Sequence, residues 1–368
     1  MRLFNDVYSG RKTFLTGHTG FKGSWLSAWL EQLGAEICGY SLSGQVSHPD
    51  HASLLSTNVR NVRGDICDYQ TLLGSLKQFR PEIVFHLAAQ PLVHLSYKEP
   101  LATFATNVMG TANLLQACRE CDSVRSVVVV TTDKVYQNCE WDWGYRENDT
   151  LGGHDPYAAS KACSELVAAC FRQSFFESEK TVEDGKRRIL TATARAGNVV
   201  GGGDWALDRI IPDIVRDATE GKTTTIRMPH AVRPWEHVLE PLAAYLLLGQ
   251  GLLEGRQEFA QAWNFGPEQE SIVTVGELAK LAQVHWDALK FDFQQPQSTA
   301  LHETNYLALD CSKAKRHLGW KPVWPLEETI KHTMAWYRGY HENNEVLTNS
   351  QLSQYVQDAV NQQAVWTQ

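Results

Sequence analysis

Lys12-Thr-Phe-Leu-Thr16-Gly17-His18-Thr19-Gly20-Phe21-Lys22-Gly23-Ser-Trp25 passes from a β-like apolar stretch through a glycine loop into a helical pattern, and that order decides the fold. Lys12–Thr16 is short and closed by a turn signal, as a buried strand is. Phe21, Trp25, Leu26, Trp29, Leu30 and Leu33 then recur at helical spacing up to Gly34, a helix stop. Gly17, Gly20 and Gly23 permit a tight turn and close backbone approach to a pyrophosphate, which then rests on the helix N-terminus. A glycine spacing alone is a weak signal; between a strand and a helix, it predicts a dinucleotide-binding loop rather than a plain turn.

Working outward, β-like runs alternate with helical ones. Ala35–Tyr40, Glu82–Leu87, Ser126–Thr131 and Ile189–Ala194 read as further buried parallel strands. Asp155 is a predicted N-cap, with Pro156 at the first position of a helix running to about Glu177. The pattern predicts an α/β protein: a Rossmann-type doubly wound parallel sheet with ligands beyond the strands' carboxyl ends. After Gly197 the texture turns loop-rich, which predicts a smaller, interleaved α+β lobe that binds substrate. Residues 1–197 are assigned to the dinucleotide domain, with a return segment at about 235–265 that holds a helix (Val238–Leu253) and a strand (Ala262–Phe265). Residues 198–234 and 266–345 go to the second lobe, and 346–368 to a peripheral tail.

A formal charge of −8 offers no basic surface for nucleic acid. The start of the chain lacks the apolar run of a secretory signal, no stretch is long and apolar enough for a bilayer, and a cytoplasmic setting is expected. The eight cysteines are scattered, as buried reduced thiols are. Cys118 and Cys121 form one C-x-x-C pair without a second at zinc-ligand spacing, so no metal is expected. Several of the twelve tryptophans stand in expected loops, where they could line a pocket.

Two motifs carry chemistry. Tyr157-Ala-Ala-Ser-Lys161 places a phenol and an ammonium on one helix face. A phenol ordinarily ionises near pH ~10, and a neighbouring ammonium with a positive nicotinamide would lower that, which makes Tyr157 a base for an alcohol. The competing reading is a helix face with a surface lysine. Upstream, Thr131-Thr132-Asp133-Lys134-Val-Tyr136 puts a carboxyl and an amine at a strand end, either as an acid and base or as a structural salt bridge.

The Gly17-x-x-Gly20-x-x-Gly23 spacing, Thr131, Thr132, Tyr157 and Lys161 resemble the extended short-chain dehydrogenase/reductase superfamily. The resemblance implies NAD, held by Gly17 to Gly23, Asp65-Ile66, Leu87-Ala88-Ala89, Asn107, Thr131, Tyr157 and Lys161. The second strand ends in Tyr40-Ser41-Leu42 without an acidic residue for the ribose, so NADP stays open. Epimerases of the superfamily carry small residues where this chain has Asp133-Lys134. Sugar-nucleotide 4,6-dehydratases carry Asp-Glu, and the Asp-Lys variant resembles their branch acting on CDP-glucose. Asp133 is then the acid for the C6 hydroxyl. Lys134 is either a neutral base for the C5 hydrogen or an ammonium that stabilises an enolate. The resemblance further implies a nucleotide-sugar pocket drawing on Gln90, Thr132, Asn198, Asp204, Trp205, Arg209, Ile210, Arg233, His237 and Tyr306, and a homodimer or tetramer. Arg233 is the best phosphate clamp, unless it is a surface arginine packed on Trp235. Alternatives are a dehydratase of UDP-, dTDP- or GDP-sugars, a 4-epimerase, or a non-catalytic NAD-binding regulator.

Overall fold

The computed structural model describes residues 2–42, 51–55, 58–176, 188–226, 228–293 and 306–368. In chain order the strands are β1 (Lys12–Thr16), β2 (Glu36–Ser41), β3 (Arg60–Arg63), β4 (Ile83–His86), β5 (Ser126–Val130), β6 (Leu190–Ala196), β7 (Asn198–Val200), β8 (Thr224–Ile226), β9 (Val232–His237), β10 (Ala262–Phe265), β11 (Ile272–Thr274) and β12 (Phe291–Phe293). Among the described residues seven of them form one sheet, in the order β10-β6-β5-β4-β1-β2-β3, and every pair in it is parallel. This is the doubly wound sheet expected from the sequence.

Period-two alternation divides the core. Phe14, Val84, Val127 and Val129 join one buried cluster, whereas their neighbours Leu15, Ile83, Phe85, Val128 and Val130 join another. The first cluster lies under the Tyr69–Phe79, Gly110–Glu120 and Pro156–Phe171 helices; the second under the Phe21–Gln32 and Leu239–Leu253 helices. Both faces are covered, which is why these strands read as continuous apolar runs.

The Asp155 carboxylate accepts from the Ala158 N–H at 2.9 Å and caps the Pro156–Phe171 helix as expected. That helix passes into a π-helical turn over Arg172–Phe176, and its expected end at about Glu177 lies outside the described residues. β10 returns to the main sheet beside β6, while β9 pairs with β7 and β11 in a separate three-stranded sheet. β8 and β12 form a further pair.

Two expectations are corrected. Residues 346–368 are not peripheral: the Thr348–Asn361 helix buries Tyr355, and Trp366 stacks on Phe4 with ring centroids 5.1 Å apart. Six of the twelve tryptophans, Trp25, Trp29, Trp263, Trp320, Trp336 and Trp366, are fully buried in the core, and of the others only Trp205 and Trp235 line the main cavity among the described residues.

Candidate active site

Strand order reverses between β1 and β4, so the loops after these strands diverge and leave a crevice beyond the sheet. A cavity of about 870 Å³ occupies it. At one end Gly17 has φ +73°, and a Cβ there would stand 2.7 Å from the Ala88 nitrogen. A Cβ on Gly23 would stand 2.1 Å from the Gly17 oxygen. Only bare backbone lets the β1 loop, the β4 loop and the first helix approach this closely. Gly20 is the N-cap, with no side chain to close off the helix's first N–H groups. This cradle fits a dinucleotide pyrophosphate. Gly17, Thr19, Gly20, Phe21, Lys22 and Gly23 line it, as do Ile66, Leu87, Ala88, Ala89 and Thr131.

Three residues expected here stand elsewhere. His18 turns away over Gly39, where a Cβ would meet its ring at 2.3 Å, and burial pulls its imidazole down to about 4. Asp65 accepts from the Cys67 N–H at 2.8 Å, so its carboxylate shapes the turn between Gly64 and Ile66. Asn107 is buried and clamps the loop after β4, accepting from the Gln90 N–H and donating to the Gln90 carbonyl and Ser160 Oγ.

The centre of the crevice is built on the end of β5. Thr132 caps a short 3-10 turn, Asp133–Val135, and its Oγ1 donates to Asp133 Oδ1 at 3.0 Å. Asp133 is 1% exposed, and its Oδ2 has no partner among the described residues. Lys134 lines the cavity, and no ion pair joins it to Asp133 among the described residues, so a strand-end salt bridge is not what this pair forms. Tyr157 and Lys161 face the same cavity from the helix behind. Lys161 Nζ donates to the Val130 carbonyl at 2.8 Å, and burial pulls its ammonium down to about 8 against the opposing Glu165 charge. Burial pushes the Tyr157 phenol up to about 12; the Thr132 hydroxyl opposes this and Asp133 reinforces it. The lowered phenol expected from the sequence is therefore not a property of the protein alone, because desolvation is the largest effect on it.

Behind this centre, Arg195 on β6 pairs with Glu165 at 3.0 Å, and Thr131 and Thr193 donate to the same carboxylate. The network is buried and pins the ends of β5 and β6 to the Tyr157 helix.

Asn198, Asp204, Trp205, Arg209, Ile210 and Arg233 line the other end of the cavity. Asp204 accepts from Arg209 at 2.8 Å and from the Ala206 N–H, so that carboxylate braces its own loop. Arg233 donates to the Val232 carbonyl. Three further expectations are corrected. The Gln90 amide is occupied by Leu92 and Thr103. His237 is fully buried between the rings of Trp25 and Trp324, with centroids 5.7 and 4.8 Å away. Tyr306 bridges to Val232 without lining the cavity, and residues 302–305 lie outside those described.

Sequence reading missed two features. His94 Nδ1 meets Asp208 Oδ2 at 3.0 Å, joining the two rims of the crevice, and no local pattern announces that contact. Glu236 on β9 is 1% exposed, with neither oxygen in a close hydrogen bond among the described residues and the Gly197 N–H favouring its charge. The charged and polar pair Glu236-His237 set between Trp235 and Val238 was the available signal.

The model of the GDP-mannose 4,6 dehydratase family matches residues 14–333. The chain is 44% identical over 357 residues to the CDP-glucose 4,6-dehydratase of Salmonella typhimurium, covering 95% of this chain and 98% of that one. It is 25% identical over 341 residues to a dTDP-glucose 4,6-dehydratase of Xanthomonas campestris, covering 88% and 92%. Among solved structures, the dTDP-glucose 4,6-dehydratase of Streptomyces venezuelae with NAD and TYD bound superposes with a TM-score of 0.74 at 24% identity, covering 91% and 100%. An epimerase of Methanothermobacter thermautotrophicus reaches a TM-score of 0.78 at 22% identity, covering 92% and 95%.

Proposed function

The chain belongs to the GDP-mannose 4,6-dehydratase family, and on that premise we propose that it is an NAD-dependent hydro-lyase converting CDP-D-glucose into CDP-4-dehydro-6-deoxy-D-glucose and water. One observation carries the reading: Asp133, buried with one carboxyl oxygen unpartnered, lines the same cavity as Tyr157. A group able to protonate a leaving hydroxyl thus sits beside one able to take an alcohol's proton. CDP as the nucleotide is supported by the 44% identity to a protein of that name.

When bound, NAD accepts the C4 hydrogen of the glucosyl unit and returns it at C6, with no net redox change. The cradle of Gly17, Gly20 and Gly23 would hold its pyrophosphate, and Lys161 and Tyr157 would border the nicotinamide end. Tyr157 takes the C4 hydroxyl proton. The resulting C4 carbonyl acidifies the C5 hydrogen, and Lys134 acts on that position as base or as an ammonium facing the enolate. Asp133 delivers a proton to the C6 hydroxyl, which leaves as water. Once C5 is reprotonated, the proton released at C4 and the hydroxyl lost at C6 balance as that water. Thr132, which bonds Asp133 and acts on Tyr157, is placed to connect the two.

Asn198, Trp205 and Arg233 would face the nucleoside diphosphate, Arg233 as a guanidinium for its phosphates. The protein acts in the cytoplasm as a homodimer and feeds deoxysugar synthesis of the kind that supplies lipopolysaccharide O-antigen. Exposed Leu101 and Met109 on helical turns beside the Tyr157 helix, and exposed Leu166 on that helix itself, support the dimer. The test is incubation with CDP-glucose, followed by the alkali-induced absorbance of a 4-keto sugar. Product from UDP-, dTDP- or GDP-glucose instead would correct the base, and silence with all of them would favour a regulator.

A further inference from the structure

Ser41 ends β2 and Arg63 ends β3, and the parallel register sets the two side by side. The Gly17 N–H donates to the Tyr40 carbonyl at 2.8 Å, which holds this strand end against the glycine loop. Ser41 is 7% exposed and lines the crevice together with Thr19 of that loop. Its Oγ accepts from Thr19 Oγ1 at 3.2 Å and from Arg63 Nη1 at 3.2 Å. Both lone pairs of the hydroxyl are thereby used, while its own O–H meets no acceptor among the described residues. Arg63 Nη1 also donates to the Leu42 carbonyl at 3.1 Å. The guanidinium is thus anchored at the strand end by one nitrogen, and Nε and Nη2 have no acceptor among the described residues.

In a dinucleotide fold the end of the second strand faces the adenosine ribose, and a carboxylate there binds the 2′-hydroxyl and repels a 2′-phosphate. This chain puts a hydroxyl in that place and a guanidinium beside it. The acidic side chains of the following turn are engaged elsewhere: Asp65 accepts from the Cys67 N–H, and Asp68 accepts from the Thr71 N–H and hydroxyl. The ring of His18 is held neutral at pH 7 by burial first and by the Arg63 charge second, so it adds no charge of its own.

We propose that Ser41 and Arg63 form a 2′-phosphate subsite, so that the protein takes NADP at least as tightly as NAD. The unused donors of the guanidinium match phosphate oxygens, and the Ser41 O–H supplies a further donor from the crevice wall. The inference rests on the dinucleotide reading of the Gly17–Gly23 cradle and deepens it. Chemistry at the nicotinamide is unaffected, because the two cofactors differ only at the adenosine ribose. The competing role for Arg63 is to brace the ends of β2 and β3, in which case a 2′-phosphate gains nothing from it.

The test titrates the full chain, freed of bound nucleotide, with ADP-ribose and with 2′-phospho-ADP-ribose by calorimetry. Neither ligand carries a nicotinamide, so the readout does not depend on whether CDP-glucose is the substrate. In the wild type the phosphorylated ligand should bind at least as tightly as ADP-ribose. Arg63→Met should weaken it about tenfold or more and change ADP-ribose by less than about threefold. Ser41→Asp keeps Arg63 in place and should turn the preference toward ADP-ribose by about tenfold or more. A phosphorylated ligand that binds more weakly than ADP-ribose in the wild type overturns the proposal and leaves the cradle standing. Equal losses for both ligands in Arg63→Met overturn it in favour of the bracing role. Binding of neither ligand overturns the subsite and the cradle together.

Discussion

Thr132 Oγ1 donates a 3.0 Å hydrogen bond to Asp133 Oδ1 and leaves Oδ2 buried, with no partner among the described residues. One oxygen is thus held in place and the other is left for a ligand. Asp133→Asn keeps the shape and removes the transferable proton. On mixing with CDP-glucose, this variant should still form reduced cofactor, while 4-keto product falls by about 10²–10⁴-fold. Stopped-flow absorbance of the cofactor, set beside the product assay, checks it; equal loss of both steps would assign Asp133 to substrate binding instead.

Lys134 lines the cavity one residue beyond the acid. If it is the base, Lys134→Met should abolish the wash-in of solvent deuterium at C5 of the product. Exchange at the wild-type rate with slow turnover would exclude Lys134 as the sole base and leave it the enolate's ammonium.

Tyr157 is pushed up to about 12 chiefly by burial. A positive nicotinamide beside it favours the phenolate, so NAD should lower the midpoint, by about two units or more. Tyrosinate absorbance of the wild-type protein minus Tyr157→Phe, with and without NAD, measures this. An unchanged midpoint would mean that the phenol is not beside the nicotinamide.

On the helix after β9, Glu240 is fully buried and accepts from the Val323 and Trp324 N–H groups and the Tyr355 hydroxyl. Burial nevertheless holds it at about 7, above its ordinary 4.5. The folded protein keeps a proton here that the unfolded chain releases, so this group's stabilisation is complete below 4.5 and is lost as pH rises toward 7. The loss is about 3 kcal/mol over that window. Denaturant titrations across it should show a decline that Glu240→Gln removes; a decline of the same size in the variant would assign it to other groups.

The parts of the molecule legible in sequence were those set by local rules. β1, the glycine loop and the first helix follow from neighbouring residues, and so does the Asp155 cap. The crevice follows in turn, because strand order places loop ends together. His18 and His237 were misplaced because a motif gives a residue's position and not its direction: packing over Gly39 and between two tryptophans decides where those rings point. Glu236 was missed for the opposite reason, since its neighbours in space come from the glycine loop and the end of β5. The 346–368 segment read as polar, yet a few large residues such as Tyr355 and Trp366 suffice to seat it on the core.

The central claim is that a single cavity oxidises C4 and eliminates the C6 hydroxyl. It is tested most directly by supplying CDP-glucose deuterated at C4 to the protein with NAD and locating the label in the product by NMR. The account predicts a 4-keto sugar with deuterium on C6, carried there within one molecule. A 4-epimer with deuterium still at C4, or no product from any glucosyl nucleotide, would contradict it.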